Sequence, residues 1–496
     1  MLFSRALPVT CLALAAPVTA WAQSFARSAT GTNITALFAP GLSPGASIHF
    51  PSDPDYANET IQRWSTYDPP TFVVTIKPAV YTDVQFIVKQ ADRHNIPIYA
   101  TGGAHGAEPG FGNVKHAINI DLSNFNTTDL NTATNRLTLG PGIVFADLYD
   151  LLYNAGKEIP TGNALCVNMI GATIGAGVGP LQGLHGLIID ALRSVLIVTA
   201  AGDLVTASDT QHPGLFWAVR GAGANFGIIV SATYEVYDAK NNGQVIEADF
   251  QFLPSANRSL WEVLKSWDSS YPAEMGLTIG AGFNRSGGVP TLGASVSFVG
   301  TQAQAQPYLD KFLALNPILS RVQSIGWNQL AIQSGFGSAL RVCTRGQYAN
   351  HYGVGANQTN VNVFTDVYNR FAAFSAARPW YAGTMAVQRY SSAAALAVPI
   401  SKRGVYPWRD IGTLIEFNNF YDGPVHDAEV DAFCKPARSD LLAVSGFPTP
   451  HVYINYAFGD EGPEVWYGKA NLPRLVALKK RWDPKNKFGA GNPIYL

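Results

Sequence analysis

The chain has 496 residues, enough for two or three domains or for one large enzyme with a cap. Its 34 Lys and Arg against 35 Asp and Glu give a formal net charge of −1, which excludes a basic surface for a nucleic-acid backbone. Only 14% of residues are charged and 47% are hydrophobic, so a sizeable core can be buried, and no charge run or low-complexity tract interrupts it.

Residues 1–22 read as a secretory leader. Arg5 supplies the positive start, an apolar stretch follows, and Ala20-Trp21-Ala22 offers a small-x-small cleavage site before Gln23. No later stretch is long and apolar enough to span a membrane, so a soluble, secreted protein is expected. Six N-x-S/T sequons at Asn33, Asn58, Asn126, Asn257, Asn284 and Asn357 fit a glycosylated, exported product. Cys11 leaves with the leader. Of Cys166, Cys343 and Cys434, at most one pair can close. Cys343 with Cys434 is the favoured pair, and Cys166 is read as a small buried hydrophobe. No metal-ligand spacing is present.

Residues 23–65 are polar and irregular and are read as an extension. A strand is expected over 72–76, then a helix in which Thr82 and Asp83 precede Val84, Ile87, Val88 and Ala91 at helical spacing. A second strand over 96–100 opens into the loop Thr101-Gly102-Gly103-Ala104-His105-Gly106. Strands follow over 117–122, 195–199 and 227–237, with a helix over 145–155. Beyond about residue 240 the texture changes to strands over 245–252, 277–283, 294–298 and 413–417 with helices over 260–267 and 307–315. That pattern points to an α+β region on an antiparallel sheet. A last helix over 472–481 stops at Asp483-Pro484.

Three glycine-rich stretches carry the candidate chemistry. In the loop at 102–106, backbone N–H groups can close on an anion such as a pyrophosphate. In the run 162–179, Gly162, Gly171, Gly175, Gly177 and Gly179 are interleaved with Met169, Ile170, Ile174 and Val178. That is too apolar for a linker and suits buried backbone lying against a flat ligand. The third, Gly221-Ala222-Gly223-Ala224-Asn225-Phe226-Gly227 before Ile228, misses the dinucleotide fingerprint by one residue. Gly41-Leu42-Ser43-Pro44-Gly45 matches a hydrolase string but lacks the strand and helix that its nucleophile needs, and is read as a turn. His185 is read as a satisfied structural histidine beside the glycine run.

These loops, together with Leu215-Phe216-Trp217-Ala218-Val219-Arg220-Gly221 and a terminal Tyr467-Gly468, Arg474-Leu475, Trp482-Asp483-Pro484, Phe488 pattern, resemble the berberine-bridge-enzyme-like FAD-linked oxidases. These belong to the wider vanillyl-alcohol-oxidase, PCMH-type flavoprotein fold, and the likeness is strongest to fungal secreted members. The resemblance implies an α+β fold, with a two-segment FAD-binding domain at 66–240 and 451–496 around a substrate domain at 241–450. It implies flavin attachment through His105, and an FAD cradle of Gly102, Gly103, Ala104, Gly106, Gly162, Val167, Gly171, Gly175, Gly177, Gly227, Ile228 and Asn455. A second, cysteinyl link is expected to be absent, because Ala164 stands at the anchoring position of the motif Gly162-Asn163-Ala164-Leu165-Cys166-Val167-Asn168. The element Tyr453-Ile454-Asn455-Tyr456 matches the family's Y-x-N-Y, which implies Tyr456 as general base and Tyr453 as a substrate contact. A phenol near pKa 10 needs a cation or hydrogen-bond partner for that work. Sugar-oxidising relatives place an acid beside the tyrosine, and both Glu416 and Asn418 are open for that place. The expected activity is oxidation of a small fungal secondary metabolite with O2 as acceptor. The alternatives are a carbohydrate oxidase and a secreted flavin-binding protein without turnover. Oligomeric state is left open.

Overall fold

In a computed structural model, residues 33–496 are described; the leader lies outside them. The first sheet contains β1 (Ser47–His49), β2 (Phe72–Lys77), β3 (Ile98–Thr101) and β4 (Ala117–Asp121), in the order β1-β2-β4-β3. β2, β3 and β4 run parallel, and β1 pairs antiparallel at the edge. The crossover from β2 to β3 is the helix Tyr81–Arg93, whose Val84, Ile87, Val88 and Ala91 are buried against Val74, Ile76, Ile118 and Ile120. Asp83 caps this helix by accepting from the N–H groups of Ala79 and Val80, and it also accepts from the hydroxyl and N–H of Ser43. The serine of the hydrolase-like string is therefore part of a helix cap. Residues 34–65 are not a separate extension: Ile34 and Phe38 enter the same core, and β1 joins the sheet.

The second sheet is antiparallel, in the order β5-β6-β10-β8-β9, with β5 (Thr128–Asn131), β6 (Arg136–Leu139), β8 (Leu192–Val198), β9 (Leu204–Ser208) and β10 (Ile228–Glu235). The short β7 (Lys157–Glu158) pairs with β11 (Tyr237–Asp238). The chain's end returns to this domain. Trp466, Tyr467, Leu475 and Ile494 share one core with Leu137, Leu215 and Phe216. In the terminal helix Leu472–Trp482, Lys479 pairs with Asp483 at 2.7 Å, both side chains wholly buried. Lys479 also donates to the carbonyls of Asn225 and Phe488, so the pair ties the last residues to the glycine-rich turn at 221–227.

The third sheet has seven antiparallel strands in the order β15-β12-β14-β13-β17-β18-β16. They are β12 (Gln244–Phe252), β13 (Met275–Asn284), β14 (Val289–Phe298), β15 (Leu319–Gly326), β16 (Ala349–Ala356), β17 (Thr384–Tyr390) and β18 (Thr413–Phe420). The helices Asn257–Lys265, Val361–Ala376 and Asp427–Ala443 cover one face with Trp261, Phe364, Phe371 and Val430. Along β13, Leu277, Ile279 and Ala281 enter that core. Thr278, Gly280 and Gly282 alternate onto the other face, toward the first two sheets.

Candidate functional site

A cavity of about 1860 Å³ lies between that open sheet face and the glycine loops. This exceeds the roughly 300–1,000 Å³ of a drug-sized pocket and leaves room for a dinucleotide together with a substrate. One wall begins where β3 ends. There the chain turns through Gly102, Gly103, Ala104, His105 and Gly106, all of which line the cavity. Ala104 takes a positive φ of 53°, an uncommon conformation for a residue with a Cβ. Gly103 is required by close approach: a Cβ there would come within 2.6 Å of the Asn168 Cβ.

Asn168, which replaces the motif's glycine, is a structural hub. Its Oδ1 accepts from Gly171 N at 2.8 Å, capping the helix Met169–Ile174, and its Nδ2 donates to the carbonyls of Pro141 and Ile143. Gly162, Val167, Gly171, Gly175, Gly227 and Ile228 also face the cavity. Gly177 does not. Its φ is +77°, and a Cβ there would press on Ile188, so its glycine serves packing rather than the cradle. Gly175 gives way to Asn455, whose Nδ2 donates to the Ala172 carbonyl and to the Tyr453 hydroxyl. The Y-x-N-Y segment is thereby fastened to the glycine run. It forms a 3₁₀ turn over Ile454–Tyr456.

His105 is stacked on Trp64, with ring centroids 4.6 Å apart and 15° between planes. Burial first, then the nearby Arg345 and His351, lower its pKa to about 4, so the imidazole is neutral with a free lone pair. Its Nε2 lies 3.8 Å from Cys166 Sγ. Cys166 is disulfide-bonded to Cys343, and Cys434 is the free, buried thiol. The expected Cys343–Cys434 pair and the reading of Cys166 as a plain hydrophobe are both corrected. Cys434 sits behind the sheet in the helix Asp427–Ala443, donating to Asn419.

The opposite wall comes from β16, β17 and β18. Glu416 faces Gly353 on one neighbour and Ala386 on the other, two small residues that leave its carboxyl open. Gly353 also admits the backbone of Tyr456, which a Cβ there would displace. Around Glu416 stand Tyr390, Tyr453 and Tyr456, with His351 Nδ1 at 3.8 Å. Burial raises Glu416 to about 7, with a hydrogen bond to Asn418 opposing. Tyr456 donates to Gln388 Oε1 at 3.2 Å. Burial and the Glu416 charge push its pKa well above 10, and no cation among its partners opposes them. At neutral pH the phenol is therefore protonated and acts as a donor toward Gln388. Tyr453 is likewise raised by burial. His351 and Glu108 were passed over in the sequence because each is a lone polar residue. In the fold both are buried in the cavity wall, and His351 Nε2 and Glu108 Oε2 have no protein partner. Orphaned polar atoms beside a glycine cradle fit a large polar group bound there. His185 is remote from this chemistry, bonded to Glu158 at 2.6 Å and stacked on Tyr237.

Comparison with known proteins agrees with this geometry. The FAD binding domain family matches residues 73–208, and the berberine and berberine-like family matches residues 452–495. The FAD-linked oxidoreductase tazL of Aspergillus terreus is 56% identical over 98% of this chain and 99% of its own. The FAD-linked oxidoreductase fmqD of Aspergillus fumigatus is 44% identical over 94% of each. Among solved structures, BBE-like 1 of Physcomitrella patens superposes with a TM-score of 0.81 at 22% identity, over 94% of this chain and 100% of its own. Glucooligosaccharide oxidase of Acremonium strictum does so with a TM-score of 0.81 at 18% identity, over 94% and 99%. At those identities the two structures speak for the fold. With the glycine cradle, the returning C-terminal segment and relatives of this identity in hand, the chain belongs to the berberine-bridge-enzyme-like FAD-linked oxidoreductases.

Proposed function

We propose that the protein oxidises a small organic substrate, of the kind made in fungal secondary metabolism, in the cavity between His105 and Glu416. The observation that carries this reading is the pairing across one cavity of a neutral, wall-mounted imidazole and a buried carboxyl poised near pH 7. Bound in the glycine cradle, FAD supplies a two-electron acceptor for hydride, with O2 as the terminal oxidant. His105 is the covalent anchor; Ala164 and the closed Cys166–Cys343 disulfide leave no free thiol at the second anchoring motif. Glu416 takes the substrate proton, because its pKa lies near the working pH while that of Tyr456 does not. Tyr456, held by Gln388, and Tyr453, held by Asn455, orient the substrate through their hydroxyls.

An exported, glycosylated protein agrees with the leader-like residues 1–22 and with a disulfide, which persists in oxidising compartments. Asn33, Asn58, Asn126 and Asn284 are exposed, and Asn357 is half-buried. Asn257 is buried and donates to Asn369, so the folded chain hides that sequon.

The reading is tested by mixing the purified protein anaerobically with panels of phenolic, polyketide and oligosaccharide substrates and following loss of flavin absorbance, then admitting O2 and measuring peroxide. Bleaching and peroxide with the aromatic panel are expected. Bleaching by oligosaccharides alone would replace this reading with a carbohydrate oxidase, and bound flavin that no panel reduces would leave a flavin-binding protein.

A further inference from the structure

The segment between β15 and β16 leaves the substrate domain and crosses to the flavin side. Four attachments fix its far end around His105. Cys343 is bonded to Cys166 beside the glycine run. The Val342 carbonyl accepts from Trp64 Nε1 at 2.6 Å, and after the carbonyl of His105 itself it favours the protonated form of the His105 ring. Arg345 donates to the carbonyls of Gln62 and Gly103, the latter two residues before His105. The N–H groups of Gly346 and Gln347 donate to the carbonyls of Arg63 and Trp64. Cysteines 177 residues apart thus meet beside His105, with Cys166 Sγ 3.8 Å from its Nε2.

We propose that the Cys166–Cys343 disulfide is the positioning element of the flavin anchor: it pins residues 342–347 so that the Val342 carbonyl holds the His105 ring for covalent attachment. The inference rests on FAD occupying the cavity. A carbonyl acceptor keeps the ring proton on the nitrogen that it faces, leaving the other nitrogen with its lone pair free. Trp64 stacks on the ring and donates to that carbonyl, so ring plane and tautomer are set together. Attachment replaces one N–H and one methyl C–H bond by a C–N bond. Two protons leave, and the two electrons end on O2 as hydrogen peroxide. The disulfide takes no part in that balance; its sulfurs stay oxidised, and Cys166 is unavailable as a second anchor.

Two measurements on the holoenzyme test this. A non-reducing peptide map should recover the 166 and 343 peptides joined, with Cys434 the single thiol of the mature chain that alkylates after unfolding. Alkylated Cys166 and Cys343, or flavin on Cys166, would overturn the proposal. The double variant Cys166→Ala with Cys343→Ala should still bind FAD, but the fraction of its flavin that stays in the acid-precipitated pellet should fall at least about five-fold, because positioning of this kind contributes through orientation alone. A covalent fraction equal to wild type would overturn it. Should the double variant not accumulate, Trp64→Phe, which keeps the stacking and removes the donor to Val342, carries the same test with the same directions. Total flavin in the wild-type protein reports separately on the FAD reading, so the two failures are distinguishable.

Discussion

Replacing Glu416 by Gln separates the chemistry of the site from its stability. Glu416 is 7% exposed, and burial raises its pKa from 4.5 to about 7. Between those values the folded chain retains a proton that the unfolded chain has lost. Stability therefore falls as pH rises through the window from 4.5 to about 7 and is unaffected below it. At about 1.4 kcal/mol per pH unit, the full penalty above the window is about 3 kcal/mol. Glu416→Gln removes the titration. Near pH 8 the variant should unfold with a free energy about 3 kcal/mol above wild type, and near pH 4 the two should nearly coincide. Its substrate-dependent bleaching rate should fall by about 10²–10⁴, and the rise in rate through pH 7 should vanish. Urea unfolding followed by tryptophan fluorescence at both pH values gives the first result, and anaerobic stopped-flow across pH gives the second. A variant no more stable than wild type near pH 8, or one that keeps the rise through pH 7, refutes the assignment of Glu416 as a buried proton acceptor.

Lys479→Met leaves the Asp483 carboxylate buried without its partner and should cost about 3–5 kcal/mol in a denaturant titration, with loss of flavin as the cavity-lining residues 485–492 loosen. Gly103→Ala sets a methyl 2.6 Å from the Asn168 Cβ; a loss of about 1–3 kcal/mol and a lower flavin-to-protein absorbance ratio are expected, and a fully flavinylated variant of wild-type stability would contradict the close packing. Asn455→Ala removes the donors to Ala172 and Tyr453, and should raise KM more than it lowers kcat, because it frees a substrate-orienting hydroxyl and leaves Glu416 in place.

Much of the first domain was legible because its signals are local. The apolar spacing of 84–91 buries one face of Tyr81–Arg93, and the glycines after β3 do line the cavity. What escaped depends on contacts across the chain. Nothing in the spacing of Cys166, Cys343 and Cys434 tells which two Cα atoms come within 5.7 Å, because the pair is 177 residues apart along the chain. Residues 453–456 have the composition of a strand, yet their backbone packs over Gly353 and turns; tertiary contact overrode propensity. Glu416 was ambiguous with Asn418 because residues two apart in a strand share a face, and both line the cavity. Register against Gly353 and Ala386 places the Glu416 carboxyl in the open, with Asn418 beside it as its hydrogen-bond partner. The close approach of Gly177 to Ile188 was not visible in sequence, where a glycine packed against a side chain looks the same as one against a ligand.

The central claim, an FAD oxidoreductase anchored through His105, is tested most directly by a visible spectrum of the purified protein and of its acid-precipitated pellet, alongside His105→Ala. The account predicts a yellow wild-type pellet with flavin mapping to the His105 peptide, and a variant whose yellow colour passes to the supernatant. A wild-type protein that is colourless even after FAD is offered, or one that carries its flavin on another residue, would contradict it.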